Sequence, residues 1–170
     1  LEGSAPDDHR RARELREEAR VGFVGDAGQE ELESFLDGMP ERYFLAHPVD
    51  VIRRHARAAR DRAEKIVHVA LSPGASEDVT ELLVLMDDRA GLLSEITAAL
   101  MVNRLEINAA QVYARERSDG GLEAVDLLQV RRSGRHVDHI EQHELDQVAM
   151  DIADLVQNKV GLEELKKRLP

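Results

Sequence analysis

Cysteine is absent from the 170 residues, which excludes disulfides, thiol catalysis, iron–sulfur clusters and thiolate-ligated zinc. Tryptophan is also absent, and aromatic residues make up only 3% of the chain. Phe23, Phe35, Tyr43 and Phe44 precede residue 45, and Tyr113 stands alone beyond it. The later part must therefore pack an aliphatic core, and it holds no set of rings for stacking bases or caging a cation. No run approaches the roughly 18 apolar residues of a membrane span. The opening residues do not read as a signal sequence, so a cytoplasmic location is expected. Positive charge is scarce: 23 Lys+Arg against 34 Asp+Glu leave −11 with histidine neutral. Residues 1–65 carry 12 basic and 15 acidic groups, and residues 66–170 carry 11 and 19. Binding to nucleic acid by counterion release or to an anionic membrane surface calls for the opposite sign.

At 19.0 kDa the chain suits one domain, or a small domain with an arm. The opening Leu1-Glu2-Gly3-Ser4 reads as an appended linker and is set aside. Residues 7–20 read as a charged helix with Asp7 or Asp8 as cap and a thin stripe of Ala12, Leu15 and Ala19. A short helix over 29–37 follows, packed through Leu32, Phe35 and Leu36, capped by Asp26 or Gly28 and closed by Gly38. Pro40 and Pro48 punctuate the next stretch. Asp50 opens a further helix running to about 65, with Val51, Ile52, His55, Ala56, Ala59 and Ala63 on one side. Its Arg53, Arg54, Arg57, Arg60 and Arg62, with Lys65, form the one positive field.

At Ile66 the period changes from helical to alternating. IVHVALS and TELLVLMD read as strands joined by the turn-rich SPGASEDV, and GLLSEITAALMVNR reads as a helix. EINAAQVYARE and GLEAVDLLQVRR are two more strands around Arg117-Ser118-Asp119-Gly120-Gly121, a strong hairpin signal. An acidic helix is expected over 137–158, buried through Val137, Ile140, Leu145, Val148, Ile152, Leu155 and Val156, and Gly161 separates it from a short LEELKKRL tail.

The order is arm, β, β, α, β, β, α. A ferredoxin-like unit is βαββαβ. Here the last strand is missing, but the extra first strand can fill its place in the sheet. The expected fold is an α+β sandwich: a four-stranded antiparallel sheet with two helices, preceded by a helical arm. The expected divisions are an arm over 5–65, the sandwich over 66–158 and a tail over 159–170.

Residues 80–129, with the turn Asp88-Arg89-Ala90-Gly91-Leu92-Leu93 leading from strand to helix, resemble an ACT domain. That family consists of small regulatory modules that bind amino acids and dimerise. The preceding MPERYFLAHPVDVIRRHARAARDR at 39–62 resembles the segment before the last ACT repeat of bacterial PII uridylyltransferase/uridylyl-removing enzymes. Together the likeness covers roughly residues 28–130. It implies a regulatory, allosteric function in nitrogen metabolism, a homo-oligomer, catalytic domains in a larger parent protein, and glutamine as the effector. The family's transferase needs a Gly-Ser motif with paired aspartates, and its hydrolase needs His-Asp pairs for metal-assisted hydrolysis. Beyond the set-aside linker this chain has no Gly-Ser, no Asp-x-Asp and no His-Asp. No catalytic residue and no cofactor are assigned, and the chain by itself is not expected to be an enzyme.

The resemblance places the ligand site at Asp88, Arg89, Ala90, Gly91, Leu92 and Asn108. A helix N-terminus offers free N–H groups to a carboxylate, and Gly91 lets backbone approach a ligand closely. Asp88 can meet the ligand ammonium or simply cap the helix. The family's proline is Ala90 here, and its glycine and asparagine before the next strand fall on Arg104 and Glu106. Those two departures leave open whether an effector binds. They also leave an alternative in which the module only assembles, through sheet edges or helices. A third reading has the arginine helix binding RNA or a phosphorylated partner, against a simpler one in which it pairs with the acidic helix, within the chain or between subunits. His136, His139 and His143, near Asp138, Glu141 and Glu144, have the spacing of one helix face. They read as solvated, with metal ligation the weaker alternative. Gly22-Phe23-Val24-Gly25-Asp26-Ala27-Gly28 is GxxGxxG without a preceding strand, and reads as a hinge, not a dinucleotide loop.

Overall fold

In a computed structural model, residues 5–72, 78–137 and 139–169 are described. The suggested linker at 1–4, most of the turn-rich connection after the first strand, and Asp138 lie outside them. The chain forms two compact units. One holds the residues up to Ala63 together with Tyr113–Glu123, and the other holds Glu64–Val112 and Ala124–Pro170.

The first unit contains α1 (Ala5–Val21), α2 (Gln29–Gly38), α3 (Glu41–Ala46) and α4 (Val49–Arg62). Asp7 and Asp8 lie inside the first turn of α1 rather than capping it. Likewise Pro48, not Asp50, occupies the N-cap of α4, and Pro40 does the same for α3. A proline has no N–H to lose where a helix starts, so both punctuating prolines begin helices. Helix α3 was not expected from the sequence. The rings gather on Tyr43, with Phe35, Phe44 and Tyr113 edge-on at 5.9, 5.4 and 5.2 Å between centroids. Gly38 is required here, because a Cβ would sit 2.3 Å from the Glu116 carbonyl oxygen.

The arginines serve this unit. Arg16 lies over Phe44, Arg42 over Tyr113, Arg57 over Phe23 and Arg115 over Phe35, 4.3 to 5.5 Å from the ring centroids. From α4, Arg53 donates to the Glu18 carbonyl at 2.6 Å, Arg60 to the Ala27 carbonyl at 2.9 Å, and Arg57 pairs with Asp26 at 3.4 Å. Arg62 reaches Glu123 at 2.5 Å. Arg53 and Arg60 thus bond carbonyls at the end of α1 and in the turn before α2, within their own unit. The glycine-rich segment is likewise a packed turn. Phe23 is fully buried, and the Arg53 side chain fills the space a Cβ on Gly22 would need.

The sheet contains β1 (Val67–Ser72), β2 (Thr80–Asp87), β3 (Glu106–Glu116) and β4 (Leu122–Arg132) in the order β1-β2-β4-β3. β1 pairs antiparallel with β2, from Val67↔Met86 to Ser72↔Glu81. The extra strand thus takes the sheet position of the missing last strand. The hairpin closes as its Asp-Gly-Gly dictates, with the Arg117 N–H bonding the Gly121 carbonyl at 2.8 Å and Asp119 accepting from Gly121 N–H at 2.8 Å. A two-residue β5 (Arg135–His136) folds back on the end of β4.

Helices α5 (Leu92–Val102), α6 (Gln142–Val156) and α7 (Leu162–Lys166) complete the second unit. Val67, Val69, Leu82, Val84 and Met86 meet Leu92, Ile96, Val148 and Ile152 in an aliphatic core, as the scarcity of rings requires. α6 starts five residues later than expected. Val137 and Ile140 are buried but precede the helix, which begins at a capping box formed by Glu141 and Glu144. The tail packs in a second, smaller apolar cluster: Leu165 is fully buried with Ala98, Leu155 and Val160.

Candidate functional site at the start of α5

The site begins where β2 ends. Asp88, Arg89, Ala90 and Gly91 are exposed, and Gly91 takes the N-cap position of α5 with φ +78°. That left-handed conformation is one a glycine adopts without strain, and a Cβ placed there would meet nothing within 4 Å. No side chain caps the helix, so Asp88 is not the capping residue. The first N–H groups of α5 have no intrahelical acceptor and lie at the positive end of the helix dipole.

Arg89 straps the turn in place. Its Nη1 donates to the Val156 carbonyl at the end of α6 at 3.1 Å, and its Nη2 pairs with Glu95 at 3.1 Å. The other carboxylate oxygen of Glu95 is buried without a partner among the described residues. Leu92 is a core residue by its side chain, so it offers the site only its backbone.

Asn108 is not brought to this place. It is exposed near the start of β3, beyond the C-terminal end of α5, and β4 lies between β2 and β3. A crossover helix of this length separates its two ends by about 16 Å. Arg104 and Glu106 are exposed at that same far end, so they do not crowd the turn at Asp88–Gly91. Arg104 has φ +62°, and the Leu105 N–H closes on the Leu100 carbonyl at 2.8 Å. The left-handed backbone that favours glycine is thus present at Arg104 and borne by a cation.

Sequence reasoning missed Asp126. It lies on β4 between Ala124 and Leu128, which face the helices, and a strand's period of two puts Asp126 on that face too. It is 2% exposed, and its Oδ1 has no hydrogen-bond partner among the described residues. Burial, and then the charge of nearby Asp88, push its carboxyl up to about 7. The signal was present in the sequence: an acid interrupts the apolar set Ala124, Leu128, Val130.

The three histidines do not share a helix face. His136 is in β5, His139 precedes α6 and pairs with Glu141 at 3.0 Å, and only His143 is helical. The later start of α6 is the reason. Among the described residues no group of three or more histidine and acidic side chains is placed to hold a metal.

Comparison with known proteins adds a direct likeness. The chain is 36% identical over 150 residues to a bifunctional uridylyltransferase/uridylyl-removing enzyme of Gluconobacter oxydans, covering 85% of this chain and 15% of that protein. It is 30% identical over 158 residues to the enzyme of the same name from Rhodospirillum rubrum, covering 91% of this chain and 16% of that one. The chain thus spans about one-sixth of the length of these relatives. No family model matches it. No helix among the described residues is long and apolar enough to cross a membrane.

Proposed function

We propose that the chain is a regulatory, amino-acid-sensing and dimerising module of ACT type, corresponding to part of a PII uridylyltransferase/uridylyl-removing enzyme, with glutamine as effector. The likeness to those enzymes over most of this chain and a small share of theirs supports a regulatory rather than a catalytic part. The site geometry carries the reading further. The uncapped start of α5 opens onto free space at Gly91, which suits a ligand carboxylate. Its mechanism is population shift: the effector stabilises one arrangement of the module and thereby biases attached catalytic domains. The setting is cytoplasmic nitrogen metabolism, and the partners are a second copy and the catalytic domains of a parent protein. The divisions proposed are the arm over 5–65, the sandwich over 66–158 and the tail over 159–170, with the tail packed into the sandwich. Nucleic acid is not a proposed partner, since Arg53, Arg57, Arg60 and Arg62 bond within their own unit.

Calorimetry with glutamine and a panel of the other amino acids tests the sensor reading. Saturable binding of one of them is expected, and heat-silent titrations throughout the millimolar range would overturn it. A module that only assembles is the second reading, favoured by the exposed edge strand β3. It predicts association of the chain with no amino-acid response.

A further inference from the structure

We infer that Asp126 is the acceptor for the effector's α-ammonium group, so that the start of α5 and this one carboxylate together read both ends of a zwitterion. The inference rests on the sensor reading and adds a residue and a chemistry to it. A carboxylate on the helix-facing side of β4 costs stability unless something compensates it. Other buried acids in the chain have partners: Glu123 is bonded by Arg62 and Arg115, and Asp151 by Asn103 and Gln147. Asp126 differs, because Oδ1 is buried and has no hydrogen-bond partner among the described residues, and the charge that acts on it besides its burial is the like charge of Asp88. Two carboxylates, one exposed and one buried, so placed disfavour each other and favour a cation between them.

The surroundings limit what that cation can be. Arg89, next to Asp88 in the sequence, is held by Glu95 and the Val156 carbonyl. A bare divalent ion would need further ligating oxygens, and the described residues supply no cluster for one. An ammonium needs fewer: it donates three hydrogen bonds and carries one charge. The same turn presents the unsatisfied N–H groups of α5, which fit the carboxylate on the adjoining carbon of an α-amino acid. One ligand then satisfies donors and acceptors that are otherwise unmatched, and a charge-assisted bond to Asp126 is among the stronger polar contacts available.

The test is calorimetry on the full chain with L-glutamine and with 4-carbamoylbutanoate, which is glutamine without its α-amino group. If another amino acid binds more tightly in the panel, that amino acid and its des-amino analogue are used. In the unaltered chain the des-amino compound is expected to bind at least about 30-fold more weakly. Asp126→Asn is expected to weaken the amino acid by a similar factor while changing the analogue's affinity less than about twofold. The analogue measurement needs no variant, so it stands even if Asp126→Asn folds poorly. An amino acid bound equally by the variant and the unaltered chain, or an analogue bound as tightly as the amino acid, overturns the Asp126 assignment and leaves the sensor reading in place. No binding of any amino acid overturns both.

Discussion

His55 is 1% exposed, and its Nδ1 lies 2.6 Å from the Tyr43 hydroxyl. Burial, and then the charge on His47, push its ring down to about 3, so the folded chain holds it neutral. The unfolded chain takes up a proton near 6.5. Stability is therefore complete above that pH and is lost as pH falls from about 6.5 toward 3, by an amount of order 3–5 kcal/mol. Asp126 acts in the opposite sense. Its folded proton affinity is raised to about 7, so its contribution is intact below about 4 and is lost as pH rises from 4 to 7. Denaturant unfolding from pH 4 to 8 separates the two. Replacing Asp126 by Asn is expected to leave stability nearly unchanged at pH 4 and to raise it by about 2–4 kcal/mol at pH 8. His55→Phe is expected to flatten the acid limb. An Asp126→Asn gain equal at both pH values would show that this carboxyl titrates normally.

At the level of elements, alternation and turn chemistry made the sheet legible. The bounds of β2 and β3 are those expected from TELLVLMD and EINAAQVYARE. The start of α6 was not legible, since Val137 and Ile140 keep a helical period with Leu145 while preceding the helix. Burial fixes which side a residue faces, not which backbone carries it there, and the capping box at Glu141 and Glu144 was the better signal. Helix α3 was hidden for a related reason, as two prolines read as breaks stood at helix starts. The candidate site was half legible. The turn at Asp88–Gly91 was marked by its residues, but Asp126 and the separation of Asn108 from Asp88 depend on strand order across β4. The link between α5 and β3 offers a direct measurement. Arg104 holds φ +62°, which costs an L-residue about 1 kcal/mol that glycine avoids. Its side chain is exposed, so Arg104→Gly is expected to raise unfolding free energy by about 0.5–1 kcal/mol. A loss of stability would mean the arginine makes a contact worth more than its backbone strain.

For the whole chain, the net charge of −11 bears on the proposed association with a second copy. General self-repulsion opposes it, and most of the excess acid follows residue 65. The sheet provides a place where that repulsion is locally weak. β3 ends the strand order, is 11 residues long, and is exposed from Asn108 through Val112. That stretch reads Asn-Ala-Ala-Gln-Val, with no charge and no proline, the devices that normally keep a sheet edge from pairing. The other edge, β1, has six residues. Pairing of copies through β3 is therefore expected to strengthen as salt screens the net charge, the reverse of an interface held by ion pairs. Ala110→Lys puts like charges across an antiparallel pair of β3 strands, where they repel, and leaves the exposed position otherwise unconstrained. Sedimentation velocity is expected to show the unaltered chain dimerising more tightly at high salt. The lysine variant is expected to remain monomeric, with its unfolding free energy changed by less than about 0.5 kcal/mol. A variant that dimerises like the unaltered chain would move the interface away from β3. Dimerisation that weakens with salt would point instead to a contact between oppositely charged surfaces.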